Sequence, residues 1–320
     1  MLGLNPDRGI KIVYTQHSSL RRLTIVLLFV CLSTPALANN DDGVLVLGRV
    51  SNDPCEHYDR LRPLLDYVVE NMADIGIREG RILMARDGQA MISFLRQGRV
   101  DWVTETAGAA IMMMNRGEAQ PLLRGWRGGR SQYQSLFVVR QDSGINTLDQ
   151  LRGRSVGFQH PLSTSGYMVP AGMLLEAGLN VTILLSPLDQ PSQDFVGYAF
   201  TGQALNSITW VHKQIVDVAA ISDQDWEEYV ESVPEYRRDL RVLERSPAIP
   251  RAMELVRKDL DPSIRIRLRQ ILLNAEQDPS ATAALDAYFR TIRFTPADAL
   301  MLEQIEPLRR MSRRVREELE

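Results

Sequence analysis

Cysteine is nearly absent from this chain of 320 residues, which carries only Cys31 and Cys55. Cys31 falls inside an amino-terminal leader pattern, so a single cysteine remains after export and no internal disulfide can form in an oxidising compartment. Cys55 is read as a small packed hydrophobe. Basic tracts are missing too. Removing residues 1–38 takes away Arg8, Lys11, Arg21 and Arg22 against Asp7, so the formal net charge of −3 becomes −6. A mildly acidic chain without a basic stripe cannot neutralise a phosphate backbone, which argues against nucleic acid as a partner. The one long apolar run, 23–32, is well short of the ~20 residues that span a bilayer.

Enzyme signatures are equally scarce. There is no Gly-x-Ser-x-Gly elbow, no Walker phosphate loop and no dinucleotide-binding glycine fingerprint. His57, His160 and His212 occur singly and not at metal-ligand spacing. His160, close before Ser163, is the one base available to a hydrolase. Nothing implies a metal or a cofactor.

What is present begins with the leader. Arg21 and Arg22 precede the apolar run, and Ala36-Leu37-Ala38 supplies a small-x-small cleavage site, so the expected mature chain starts near Asn39 in the periplasm. Phe29-Val30 before Cys31 is not the small-residue context of a lipid anchor. The remainder exceeds the usual size of one core and predicts two lobes. Strand-like runs at 44–50, 81–85, 100–103 and 121–124 alternate with helical patterns at 58–72, 89–96 and 108–115. A second series places strands at 135–140, 155–158, 181–185, 216–221 and 240–243 among helices at 148–151, 166–177, 202–212 and 223–230. Helical segments at 262–277 and 280–288 then close the chain. The alternation predicts an α/β fold of two βα lobes, 39–137 with 240–320 and 138–239, a chain that crosses between them near 135–140 and 240–243, and a ligand cleft between.

The most telling stretch is Leu162-Ser163-Thr164-Ser165-Gly166-Tyr167-Met168-Val169-Pro170, between a strand and a helix. The first turn of a helix leaves N–H groups unpaired and carries partial positive charge, so Ser163, Thr164, Ser165 and Gly166 fit a receptor for a tetrahedral oxyanion. They also fit an ordinary Ser/Thr helix cap. Pro170 is consistent with a first-turn position in either case. Asn52, after the first strand, and Thr104-Glu105-Thr106, after the third, stand where loops reach a cleft. Thr106 is a candidate donor to an oxyanion. Glu105 is either a first-turn helix carboxylate or the partner of a cationic group on the ligand.

With these motifs in place, the sequence resembles the substrate-binding proteins of phosphonate, phosphite and phosphate ABC importers. The resemblance rests on Gly98-Arg99-Val100-Asp101, the run 135–145, Ser163 to Pro170, Val216-Asp217-Val218-Ala219 and Ser246-Pro247-Ala248-Ile249-Pro250, in the family's order. It implies a two-lobed periplasmic-binding-protein fold, a small oxyanion ligand held by Ser163, Thr164 and Ser165, and a contact from Tyr133, which is otherwise a half-buried strand aromatic. It also implies a monomer that delivers ligand to an ABC permease, or alternatively a sensor subunit serving a membrane receptor or kinase. Two departures stand out. After Asp87 the family commonly has an aromatic, where this chain has Gly88, and the expectation is a gap that admits a bulkier ligand. The family's Gly-His near the helix at 202–212 is replaced by Gln203, Ala204, Leu205 and Asn206, with Gln203 or Asn206 the candidate substitute donor.

Overall fold

Alternation along the first strand shows how the molecule is layered. This computed structural model describes residues 43–51 and 53–319; the leader and Asn52 lie outside the described residues. In β1 (Val44–Val50), Leu45 and Leu47 pack with Leu61, Leu64, Leu65 and Val68 of the helix Pro54–Glu70. Val46 and Val50 turn to the other face, where Met91, Ile92 and Leu95 of the helix Gly88–Arg96 cover them. A period of two with helices on both sides is what a strand in an α/β sheet requires.

The other strands are β2 (Glu79–Ala85), β3 (Trp102–Glu105), β4 (Ala119–Arg127), β5 (Gln132–Tyr133), β6 (Ser135–Arg140), β7 (Ser155–Phe158), β8 (Asn180–Ile183), β9 (Phe195–Phe200), β10 (Val218–Ser222), β11 (Leu240–Arg245), β12 (Ile249–Pro250), β13 (Ala252–Arg257) and β14 (Thr291–Pro296). They form two six-stranded sheets, β14-β4-β13-β3-β1-β2 and β11-β6-β10-β7-β9-β8, and a ribbon of β5 with β12. In the first sheet β1 is parallel to β2 and β3, and β13 is antiparallel to both β3 and β4. The carboxyl ends of β1, β2, β3 and β4 therefore share one edge. In the second sheet β7 to β10 are parallel and β6 runs against β10. Loops at such carboxyl edges are where open α/β sheets present ligand-binding groups.

The second sheet is also covered on both faces. Phe137 and Val139 pack with Phe158, Tyr167 and Leu174, while Leu136 and Val138 pack with Ile208 and Val211. All of β6 and β11 lie in this sheet, with Leu136 opposite Arg245. The crossings thus fall just before Ser135 and just after Arg245, so the strand at 240–245 pairs with the sheet that the sequence division had placed at 138–239. Strand pairing, which periodicity does not report, sets those points. The two crossing segments are tied together: Ile249 pairs with Tyr133 in the ribbon, and the Ser246 amide donates to the Ser135 carbonyl at 2.9 Å.

Five strands and two helices have no counterpart in the sequence expectation: β5, β9, β12, β13 and β14, and the helices Pro234–Asp239 and Ala299–Leu319. Wholly buried β13 contains Glu254 and Arg257, charges that break an apolar pattern. The last helix reaches both lobes. Its Met301, Ile305 and Leu308 join a first-lobe cluster, Val315 joins a second-lobe one, and a Cβ built on Gly172 would fall 1.9 Å from Met311 Cγ. Cys55, expected to be packed, is exposed, because it occupies the first turn of a helix whose buried face starts at Leu61.

Candidate functional site

The loop after β7 delivers the hydroxyl run into a single π-helical turn, Thr164–Met168, that leads into the helix Val169–Glu176. Met168 N–H reaches back to the Ser163 carbonyl at 2.9 Å, the wide spacing of such a turn, which recurs at functional sites. Ser163 Oγ accepts from the Gly166 amide at 3.0 Å and donates to Gln159 Oε1 at 2.7 Å, so this serine caps the turn. A Cβ on Gly166 would lie 2.5 Å from Gln159 Cδ, so any side chain there would displace the Gln159 that holds Ser163. Cap and anion site are therefore not exclusive: Ser163 shapes the turn and frees the next two hydroxyls from capping.

Thr164 faces the other lobe. Its Oγ1 donates to Thr106 Oγ1 at 2.9 Å and accepts from the Gly108 amide at 2.8 Å. Thr106 is the N-cap of the helix Ala107–Asn115 yet makes no side-chain cap bond, its hydroxyl being turned to Thr164. The Ser165 carbonyl accepts from Ser135 Oγ at 2.6 Å. Tyr133 is buried in the crossing ribbon and hydrogen-bonds Ser165 and Thr164; burial first of all pushes its phenol up. The Arg251 guanidinium lies 4.8 Å from the centre of its ring. Thr106 from the first lobe, Thr164 and Ser165 from the second, and Tyr133 from the ribbon thus converge. Each of these hydroxyls is both donor and acceptor, so the group satisfies itself and can turn the same donors onto an oxyanion.

Other candidates are placed differently. Asn206 is exposed and donates to the Thr201 carbonyl at 2.8 Å, holding the turn after β9 and taking no part in the hydroxyl cluster. Glu105 is the buried last residue of β3 and not a first-turn helix residue; its Oε1 accepts from the Val50 amide at 2.8 Å. The gap expected beside Gly88 is filled. A Cβ at Gly88 would fall 1.9 Å from Met112 Cε and 3.6 Å from Leu162 Cδ2, so the flexible end of a methionine from the neighbouring helix stands where the gap was expected.

The histidines are dispersed. His57 Nδ1 bonds Ser51 Oγ at 2.6 Å, and burial, then the charges of Arg49 and Arg127, push its imidazole down to about 4. His160 is pushed down by burial and by Arg49, and His212 pairs with Asp239 at 3.0 Å. Among the described residues no group of three metal-ligating side chains occurs. Sequence reasoning missed the arginines entirely. Arg49 and Arg127 sit at the ends of β1 and β4, where charge on a strand end ordinarily signals solvent, yet Arg127 is only 3% exposed. A cavity of about 730 Å³ lies elsewhere, near Gly128, Gln224 and Arg290. Its carboxylates Glu227, Glu228, Glu276 and Asp286 outnumber Arg130 and Arg290, so for an anion the hydroxyl cluster is the better site despite the cavity's size.

Residues 50–302 match the family described as ABC transporter, phosphonate, periplasmic substrate-binding protein. A curated relative, the phosphonates-binding periplasmic protein of Escherichia coli, is 25% identical over 287 residues, 88% of this chain and 79% of that protein. Among solved structures, XAC2383 from Xanthomonas citri bound to ATP is 45% identical, covers 87% of this chain and 100% of its own, and superposes with a TM-score of 0.83. The same protein bound to chloride ion gives 46% and 0.83, over 86% of this chain and 99% of its own. PhnD1 from Prochlorococcus marinus in complex with methylphosphonate is 18% identical over 86% of this chain and 98% of that one, with a TM-score of 0.66, a likeness of fold.

Proposed function

The chain belongs to the periplasmic substrate-binding proteins of phosphonate ABC transporters, a family of binding proteins and not of enzymes, and we propose that it captures a phosphonate, phosphate or related phosphoryl oxyanion by closing two lobes on it. The observation that carries this is the meeting of Thr106, Thr164, Ser165 and Tyr133, contributed by both lobes and the ribbon between them. A ligand touching all of them favours the closed arrangement through contacts that neither lobe offers alone. The lobes are 43–134 with 246–319, and 135–245; the paired crossing segments β5 and β12 are the hinge. The protein acts as a monomer, and the leader at 1–38 exports it to meet its permease.

Neutral hydroxyls and amides suit a tetrahedral anion because charge-assisted hydrogen bonds are strong and the helix start adds its dipole. ATP bound to a close relative supports a phosphoryl ligand here and leaves room for a phosphate ester as well as a phosphonate. The test is calorimetric titration with methylphosphonate and orthophosphate. Thr164→Ala should weaken binding of the preferred anion by about 1–3 kcal/mol, the range for a hydrogen bond to a charged group, with little change in melting temperature. Unchanged affinity with a lowered melting temperature would leave only a structural role for Thr164.

A further inference from the structure

Two guanidinium groups, Arg127 buried and Arg49 half-buried, stand beside the hydroxyl cluster with no ion pair among the described residues. The ring of Phe289 lies between them, its centre 4.6 Å from Arg49 Cζ and 4.4 Å from Arg127 Cζ. Arg49 Nη1 donates to the Thr104 carbonyl at 3.2 Å, and Arg127 Nη2 donates to Thr104 Oγ1. Those are their side-chain hydrogen bonds among the described residues, and the Nε of each is buried without a partner. Burying a charge is costly unless it is paired, so a fold that keeps two such groups together usually spends them on something.

The carboxylates nearby make their hydrogen bonds to other groups, although the charge of Glu105 still favours the charged form of Arg49. Glu105 accepts from Val50, and Glu254 accepts from Trp102 Nε1 at 2.7 Å, Tyr288 OH at 3.0 Å and Thr104 Oγ1 at 2.9 Å. Burial pushes Glu254 up, and the charge of Arg127 opposes that shift. Thr104 therefore acts as a bracket, holding both arginines from behind and leaving donors over. Desolvation drives Arg49 down to about 10, and its charge depresses both His57 and His160. His160 belongs to the second lobe, in the loop that ends at Ser163, so the Arg49 charge acts across the cleft. Thr104 and Thr106 are two residues apart on one chain, about 7 Å when extended. The backbone is committed to this arrangement, since Phe289 and Arg290 adopt φ of +54° and +52°, a left-handed conformation uncommon for residues other than glycine.

We propose that Arg49 and Arg127, with Phe289 between them, form a second anion subsite next to the hydroxyl cluster, so that the ligand carries two adjacent anionic groups, as a diphosphate or diphosphate ester does. This deepens the oxyanion-binding function proposed above and rests on it. The hydroxyls accept one phosphoryl group, and the guanidinium forks take the neighbouring one with charge-assisted and paired hydrogen bonds. A monoanionic headgroup alone would leave the arginines unused.

Calorimetric titration with pyrophosphate and with methylphosphonate, on the full mature protein, is the test. The parent should bind pyrophosphate at least tenfold more tightly than methylphosphonate. Arg49→Gln should reduce that preference at least tenfold, and Arg49→Lys, which keeps the charge, should retain part of it and keeps the experiment decisive should the glutamine variant not fold. A parent that binds methylphosphonate as tightly as pyrophosphate overturns the subsite while leaving the oxyanion-binding function standing. So does an unchanged preference in either folded variant. A parent that binds neither anion, nor orthophosphate, overturns both.

Discussion

The second lobe presents neutral donors, the hydroxyls and amides at the start of a helix, whereas the first lobe carries two full positive charges at the ends of its strands, Arg127 buried and Arg49 half-buried. The difference lies in what each costs the unliganded protein. Thr164, Thr106, Ser165 and Tyr133 hydrogen-bond one another, so their burial is compensated and their exchange for a ligand is nearly balanced. Among the described residues Arg127 reaches Glu254 only through the Thr104 hydroxyl, and Arg49 bonds the Thr104 carbonyl with Glu105 as its nearest opposing charge. The hydroxyl edge is a device that rests satisfied, and the arginine edge is one held under load.

That contrast can be broken where it is largest. Glu254→Leu removes the acceptor of Trp102, Thr104 and Tyr288 together and leaves Arg127 without compensation, so chemical denaturation should show a loss of about 3–5 kcal/mol. A loss below 1 kcal/mol would mean that the arginine edge carries no load. Acid probes the same region more gently. His57 stays neutral in the fold down to about 4, whereas its unfolded value is 6.5. Between those values only the unfolded chain takes up the proton, so stability falls as pH drops from 6.5 towards 4, by at most about 3 kcal/mol from this half-buried group and less by what solvent screens. Denaturation midpoints measured across that window should fall more steeply for the parent than for His57→Gln; parallel curves would mean that burial and the neighbouring arginines do not hold His57 neutral.

The smallest effect expected concerns the wall beside Gly88. Because Met112 Cε occupies the place a Cβ would take, Gly88→Ala should cost about 1–2 kcal/mol of stability through overpacking that a methionine partly absorbs. Adding a methyl should not tighten anion binding, and a gain in affinity for methylphosphonate would restore the idea of a gap there.

How much of this was legible beforehand follows from the physics of each segment. β1, β6 and β7 are apolar runs bounded by polar turns, and their burial by helices on both faces reads directly from period and length. β13 hides because Glu254 and Arg257 are charged yet buried, their cost met by partners far away in sequence. β9 hides because Gly197 interrupts it and a polar loop precedes it. In the site, Ser163 to Gly166 stood out through residue type at a helix start, and Tyr133 through resemblance to a family. Arg49 and Arg127 left no signal, since an arginine closing a strand looks the same whether it meets water or an aromatic ring. Asn206 had the right chemistry at the wrong place, being used by the Thr201 carbonyl.

The central claim is that donors from both lobes grip one oxyanion, and a double-substitution cycle across the seam tests it most directly. Methylphosphonate or orthophosphate, whichever the parent binds more tightly, is titrated into the parent, Thr106→Val, Thr164→Val and the combined variant. The account predicts that each single change weakens binding about 10- to 100-fold, and that the double change costs clearly less than the product of the two, because either loss already undoes the shared closed contact. Affinities that do not move when Thr106 and Thr164 are replaced, singly or together, would contradict it.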